Sequence, residues 1–162
     1  MDKCSNYSAI VLMVLKEIRL ERNIHQGVVA DRIGKTPSAW AKIENGHSAL
    51  TFDVMVGACN ALKLNPITLM TLVDKLLAVL TPKRFHFQAG TLENNEDDLL
   101  SLVQSYFNSK GYEALKARWE IVSLDPSNRP FGETSTPTIV RYCIEPQFKD
   151  WIDNGAEGAY PK

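Results

Sequence analysis

The most constraining feature of this chain is a helix stop followed at once by a helix start: Gly34 closes one short apolar stretch and Thr36-Pro37 opens the next. Glycine takes positive φ without a steric penalty, so it ends a helix readily. Threonine is an N-cap whose side-chain oxygen accepts a backbone N–H of the first turn, and proline at the first helical position lacks only an N–H that has no partner there. The pattern predicts two short helices, about 25–33 and 37–45, joined by a tight turn. In the first, Val28, Val29 and Ile33 are apolar, and Ala30 is small enough to let another helix approach. The second ends at Asn45-Gly46.

The flanking sequence is helical as well. A helix over 8–22, with Ser8 as its N-cap and Asn23 at its end, places Val11, Val14, Leu15 and Ile18 on one face. Thr51 caps a fourth helix reaching Leu62, in which Cys59 falls at core spacing with Val54, Met55, Ala58 and Leu62. Asn65-Pro66 opens a fifth, which runs to Leu80 before Thr81-Pro82 stops it. Its apolar stripe is too broad for packing on one side, which predicts a second partner.

The segment QGVVADRIGKTPSAWAKIENG, Gln26 to Gly46, resembles the helix-turn-helix of the Cro/phage-repressor (Xre-type) family. The resemblance rests on Gln26 opening a helix, Ala30 inside it, Gly34 at the turn, Thr36 as cap and Ile43-Glu44-Asn45-Gly46 at the close. It extends over residues 10–80. It implies an all-α five-helix lambda-repressor-like domain in residues 1–82 and a sequence-specific DNA-binding transcriptional regulator. A homodimer would set two recognition helices about 34 Å apart on a pseudo-palindromic operator. Repression by occlusion of a promoter is the default mechanism.

By the same resemblance, Pro37, Ser38, Ala39 and Lys42 face bases, while Gln26, Lys35 and Asn45 meet phosphate, Gln26 alternatively supporting the recognition helix. The helix start at Thr36 suits phosphate on its own physics, because its unpaired N–H groups carry partial positive charge. Pro37 and Ala39 lack side-chain hydrogen-bonding groups, so few direct base contacts and a larger share of shape readout are expected. Trp40 falls where the family keeps a buried aliphatic residue and is expected in the core. Arg19 and Glu44 occupy the positions of a partly buried ion pair joining the first helix to the end of the third.

Residues 83–162 read as a small α+β domain. Phe85, Phe87 and Ala89 alternate with Arg84, His86 and Gln88, a strand pattern. A turn-rich stretch, Gly90 to Asn95, precedes an acidic helix start at Glu96-Asp97-Asp98, with Leu99, Leu100, Val103, Tyr106 and Phe107 as its apolar face. Leu115, Ala117, Trp119 and Ile121 alternate as a second strand, although Leu115, Trp119 and Val122 also fit a helix. A loop from Asp125 to Pro137 leads to a third strand over 138–145, and Pro146 opens a last helix carrying Phe148, Trp151 and Ile152. The residues from Asn154 are expected to fray. A domain this small has a marginal core unless it docks, so dimerisation across it or packing on the broad apolar faces of the first and fifth helices is expected to supply the missing burial. It could sense a small molecule, bind a protein partner as in an antitoxin or accessory regulator, or only dimerise. In the ligand case Phe85, Phe87, Trp119, Tyr142 and Trp151 would line the pocket.

Charge sharpens the division. Residues 1–82 hold nine Lys/Arg against seven Asp/Glu, a net +2, and residues 83–162 hold nine against twelve, a net −3. The DNA-reading half is only weakly basic, so non-specific affinity should be modest. Cys4, Cys59 and Cys143 are too few and too scattered for a disulfide framework or a zinc site, and His25, His47 and His86 are far apart. No metal, no cofactor and no enzyme activity is expected. Ala89-Gly90 and Ser123 lack the surrounding residues of a self-cleaving repressor. The apolar run Ala9 to Leu15 is too short to span a bilayer, and a cytoplasmic, unprocessed protein is expected.

Overall fold

The computed structural model describes residues 1–93, 96–130 and 133–162. Part of the expected turn at Gly90–Asn95 and part of the loop at Asp125–Pro137 therefore lie outside the described residues. The chain divides into two compact units, Met1–Leu100 and Ser101–Lys162. The sequence-based boundary near Pro82 falls earlier than this division.

In the first unit a short strand β1 (Lys3–Asn6) leads into α1 (Tyr7–Glu21), followed by α2 (Gln26–Arg32), α3 (Pro37–Glu44), α4 (Phe52–Leu62), α5 (Pro66–Leu80) and strand β2 (Phe85–Gln88). The caps explain most boundaries. Thr36 Oγ1 accepts the Ala39 N–H at 3.1 Å, Thr51 Oγ1 that of Val54 at 3.2 Å, and Asn65 Oδ1 that of Ile67 at 2.8 Å. Gly34 and Gly46 sit at φ +66° and +80° and end α2 and α3. The first cap differs from expectation: Asn6 Oδ1, not Ser8, accepts the Ala9 N–H, so α1 begins nearer the N-terminus.

Helix α1 is buried nearly all round from Ala9 to Leu15 rather than on one face, because it packs against α3, α4 and α5 together. Trp40 lies in this core with Ile18, Val29, Leu62 and Leu69. Cys59 is buried too, and burial pushes its thiol up to about 11, so it is a neutral core group. Helix α5 buries Leu69, Val73, Leu76 and Leu80 but leaves Ile67 and Met70 exposed.

Strand β2 forms where alternation predicts one, yet it belongs to the first unit. It pairs in parallel with β1, Lys3 opposite Phe85 and Asn6 opposite Gln88. The outer edge of β1 is closed by side chains: the Cys4 N–H donates to Asp98 Oδ2 at 2.8 Å and the Asn6 N–H to Asp97 Oδ2 at 3.2 Å. Asp97 also accepts the Ser5 hydroxyl at 2.6 Å and, through the same Oδ1, the Leu100 N–H at 2.9 Å. The acidic helix start thus caps its own helix and covers a strand edge that would otherwise invite pairing.

The division between units falls within α6 (Asp98–Phe107). The second unit continues with α7 (Tyr112–Lys116), α8 (Thr138–Ile144) and α9 (Pro146–Asp153). The α+β expectation is corrected here. The segment 115–121 ends α7 and continues as an irregular stretch, and the expected third strand is helix α8. Among the described residues of this unit there is no strand. In α8, Ile139, Val140, Tyr142 and Cys143 are buried, a set that wraps a helix rather than one side of a strand. Tyr106 stands edge-on to Tyr112 and Tyr142, with ring centroids 5.3 Å apart in each case. Gly111 is required for close approach, since a Cβ there would lie 2.4 Å from the Ile152 carbonyl oxygen.

Three further expectations fail. Trp119 is 89% exposed rather than core or pocket lining. The five aromatic residues proposed for one pocket are distributed, with Phe85 and Phe87 beside Tyr7 in the first unit, and Tyr142 and Trp151 in the second. The residues after Asn154 are not frayed but held by side chains of their own unit. Among the described residues no single helix is long and apolar enough to cross a membrane.

Candidate nucleic-acid interface

The α2–turn–α3 segment presents one exposed corner. Gly34 reverses the chain after α2, the Lys35 N–H returns to the Ala30 carbonyl at 2.9 Å, and Thr36 restarts the helix. Lys35, Thr36, Pro37, Ser38 and Lys42 are exposed, and Ala39 is half-buried. Lys35, Ser38 and Lys42 share a shallow concavity of about 370 Å³ with Ser48 and Thr51 at the start of α4. Two ammonium groups and the hydroxyls of Ser38, Ser48 and Thr51 therefore line the same concavity at the start of α3. Such a surface attracts phosphate and presents donors and acceptors to base edges.

The opposite end of α3 is anchored by a buried polar network. Arg19 Nε donates to Glu44 Oε2 at 2.8 Å and Arg19 Nη2 to Oε1 at 2.9 Å, with the side chains 8% and 0% exposed. Arg19 Nη1 reaches the Ile24 carbonyl at 2.9 Å, which ties the residues before α2 to the same group. Gln26 Nε2 donates to Glu44 Oε1 at 3.1 Å. Of the two roles expected for Gln26, this geometry is that of support: it links the start of α2 to the end of α3.

Asn45 is half-buried at the end of α3, and its Oδ1 accepts from Lys16 Nζ at 3.0 Å. Burial pushes the Lys16 ammonium below its ordinary pKa, against the opposing pull of the Glu44 carboxylate. Sequence reasoning missed Lys16. Its signal was available, because it stands one turn before Arg19 on α1, on the face that meets the end of α3. His25, read as the first residue of α2, is its N-cap, with Nδ1 accepting the Gly27 N–H at 3.1 Å.

Residues 14–75 match the family model of a helix-turn-helix domain, a span that contains α2, the turn and α3 whole. The match is consistent with the resemblance to the Cro/phage-repressor family. Neither the curated proteins nor the solved structures give a match to this chain. Over residues 14–75 this chain is therefore similar to helix-turn-helix domains.

Proposed function

We propose that this protein is a sequence-specific DNA-binding transcriptional regulator, acting as a repressor from a pseudo-palindromic operator. DNA reading is assigned to residues 1–82, with α3 in the major groove. The observation that carries the reading is the exposed first turn of α3 within a helix-turn-helix domain, with Lys35, Ser38 and Lys42 on one side. Ser38 and Lys42 are given the polar base readout, and Pro37 and Ala39 contact with a thymine methyl. Lys35 and Thr36 meet phosphate through an ammonium and a helix start, and Asn45 does so from the other end of α3. Gln26, Arg19 and Glu44 hold the two helices in register.

Two copies are needed to read two half-sites, and an apolar surface is available for pairing. Phe52 and Ile67 are 74% and 76% exposed, and with Met55, Pro66 and Met70 they line one shallow depression. A contiguous apolar patch of this kind is an association surface, and the same patch on a second copy is its natural complement under two-fold symmetry. The rest of the chain is assigned to partner contacts or sensing rather than to catalysis.

Selection of binding sites from random duplex DNA tests the reading, because it returns both specificity and operator symmetry. Ser38→Ala combined with Lys42→Ala should weaken binding to the selected site about 10- to 100-fold. Unchanged affinity and sequence preference in that variant would remove α3 as the reader. Binding should also fall steeply with salt.

A further inference from the structure

Lys16 and Arg19 stand one turn apart on α1 and reach neighbouring residues at the end of α3. Arg19 holds Glu44, whose side chain is wholly buried. Lys16 holds Asn45, the C-cap of α3: its Nζ donates to Asn45 Oδ1 at 3.0 Å, and both residues are half-buried. The turn after α3 is closed by main chain. The Asn45 N–H donates to the Ala41 carbonyl at 3.0 Å, the Gly46 N–H to Ile43 at 3.0 Å, and those of His47 and Ser48 to Lys42 at 2.8 and 3.2 Å. The contact with Lys16 therefore orders the Asn45 side chain rather than the turn that carries it.

What the contact fixes is the direction of an amide. An asparagine side chain carries an acceptor on one branch and two donors on the other, and half a turn about its last bond exchanges them. An ammonium has donors only, so it holds the oxygen branch and repels the NH2 branch. Nδ2 is thereby set on the side away from Lys16. Because the contact is half-buried, this electrostatic preference is stronger than it would be in water. A DNA phosphate offers acceptor oxygens to protein donors. An amide turned as Lys16 turns it can donate to a phosphate, and one turned the other way cannot.

We propose that Lys16 is a positioning residue for DNA binding: held against Asn45 Oδ1, it orders the Asn45 side chain so that Nδ2 donates to a backbone phosphate beside the end of α3. Lys16 acts through Asn45 and does not itself touch the phosphate. The proposal rests on the reading of α3 as the DNA-binding helix. It adds a residue of α1 to the determinants of affinity, with its effect confined to the DNA complex rather than to folding.

The test uses the full chain and the duplex that site selection recovers, with affinity measured for Lys16→Met, Asn45→Ala and the double variant across a range of salt. Asn45→Ala should weaken binding about tenfold, the scale of one hydrogen bond to a charged group. Lys16→Met should weaken it about three- to tenfold, the scale of one side chain left to be ordered on binding. The double variant should bind no more weakly than Asn45→Ala, because Lys16 then has nothing to orient. Lys16→Arg, also a donor-only cation, should retain affinity within about threefold of wild type. Urea unfolding checks that each variant is folded, and Lys16→Ala takes the place of a Lys16→Met chain that is not. Losses that multiply in the double variant overturn the proposal, as does wild-type affinity in folded Lys16→Met. A salt slope lowered by about 1 in Lys16→Met also overturns it, since Lys16 would then contact phosphate directly. Full affinity in Asn45→Ala, with binding lost in Ser38→Ala combined with Lys42→Ala, overturns it and leaves α3 as the reader. A chain for which selection recovers no duplex overturns both.

Discussion

Arg19 in the first unit and Arg141 in the second both grip a glutamate with more than one hydrogen bond, and the resemblance ends there. Arg19 and Glu44 are far apart in sequence and almost wholly buried, joining α1 to the end of α3. Arg141 and Glu145 are four residues apart across the end of one short helix, with side chains 14% and 42% exposed. The buried pair is a commitment: neither charge can be removed without stranding the other in a poorly solvated site. The partly exposed pair is more dispensable, because water reaches Glu145 and Arg141 keeps other partners when it is lost. The same chemistry therefore fixes tertiary geometry in one region and only trims local structure in the other.

Glu44→Ala should break this contrast or establish it most clearly. It leaves Arg19 uncompensated and removes the acceptor of Gln26, at an expected cost of about 3–5 kcal/mol in urea unfolding. A loss as small as that from Glu145→Ala would collapse the distinction. Gly111→Ala comes next and asks whether the second unit has its own rigid point. The added Cβ meets backbone at Ile152 and Ala156, neither of which can swing aside, and a cost of about 1–3 kcal/mol is expected from thermal unfolding. A neutral outcome would mean that α9 is loosely docked. Glu145→Ala should have the smallest effect, about 0.3–0.5 kcal/mol, shrinking further as salt is added. Salt-independent destabilisation on the scale of Glu44→Ala would place Arg141 among the buried commitments instead.

The candidate site was legible to the extent that it is local. Thr36-Pro37, Gly34 and Gly46 act through their own backbones, so their effects need no knowledge of the fold. Arg19 and Glu44 were readable only through resemblance, because nothing in their spacing announces that α1 meets α3. Gln26 was open between two roles, and the hydrogen bond to Glu44 became apparent only with the helices assembled. Lys16 went unnoticed because a lysine on a helix is ordinarily a solvated charge.

The second unit shows why the remainder was hidden. Val140, Tyr142 and Ile144 alternate, and β-branched and aromatic residues favour strands, yet the segment is helix α8. Local preference of this kind is weak, and burial of Ile139 and Cys143 on the same helix outweighs it. Trp119 satisfies both a strand and a helix pattern and belongs to neither, being exposed in the stretch after α7.

By itself the sequence determined where helices begin and end across residues 25–80, since capping groups, proline and glycine act over a few bonds. It also carried the exposed first turn of α3, because Pro37 and Ser38 follow directly from the cap. Only the tertiary structure decided that β2 pairs with β1, a strand of four residues too short to show alternation. It alone decided that Asp97 covers that strand's edge and that the segment 156–161 docks rather than frays. Those outcomes depend on donors and rings brought together from distant parts of each unit, and their free energy exists only once the surrounding helices have packed.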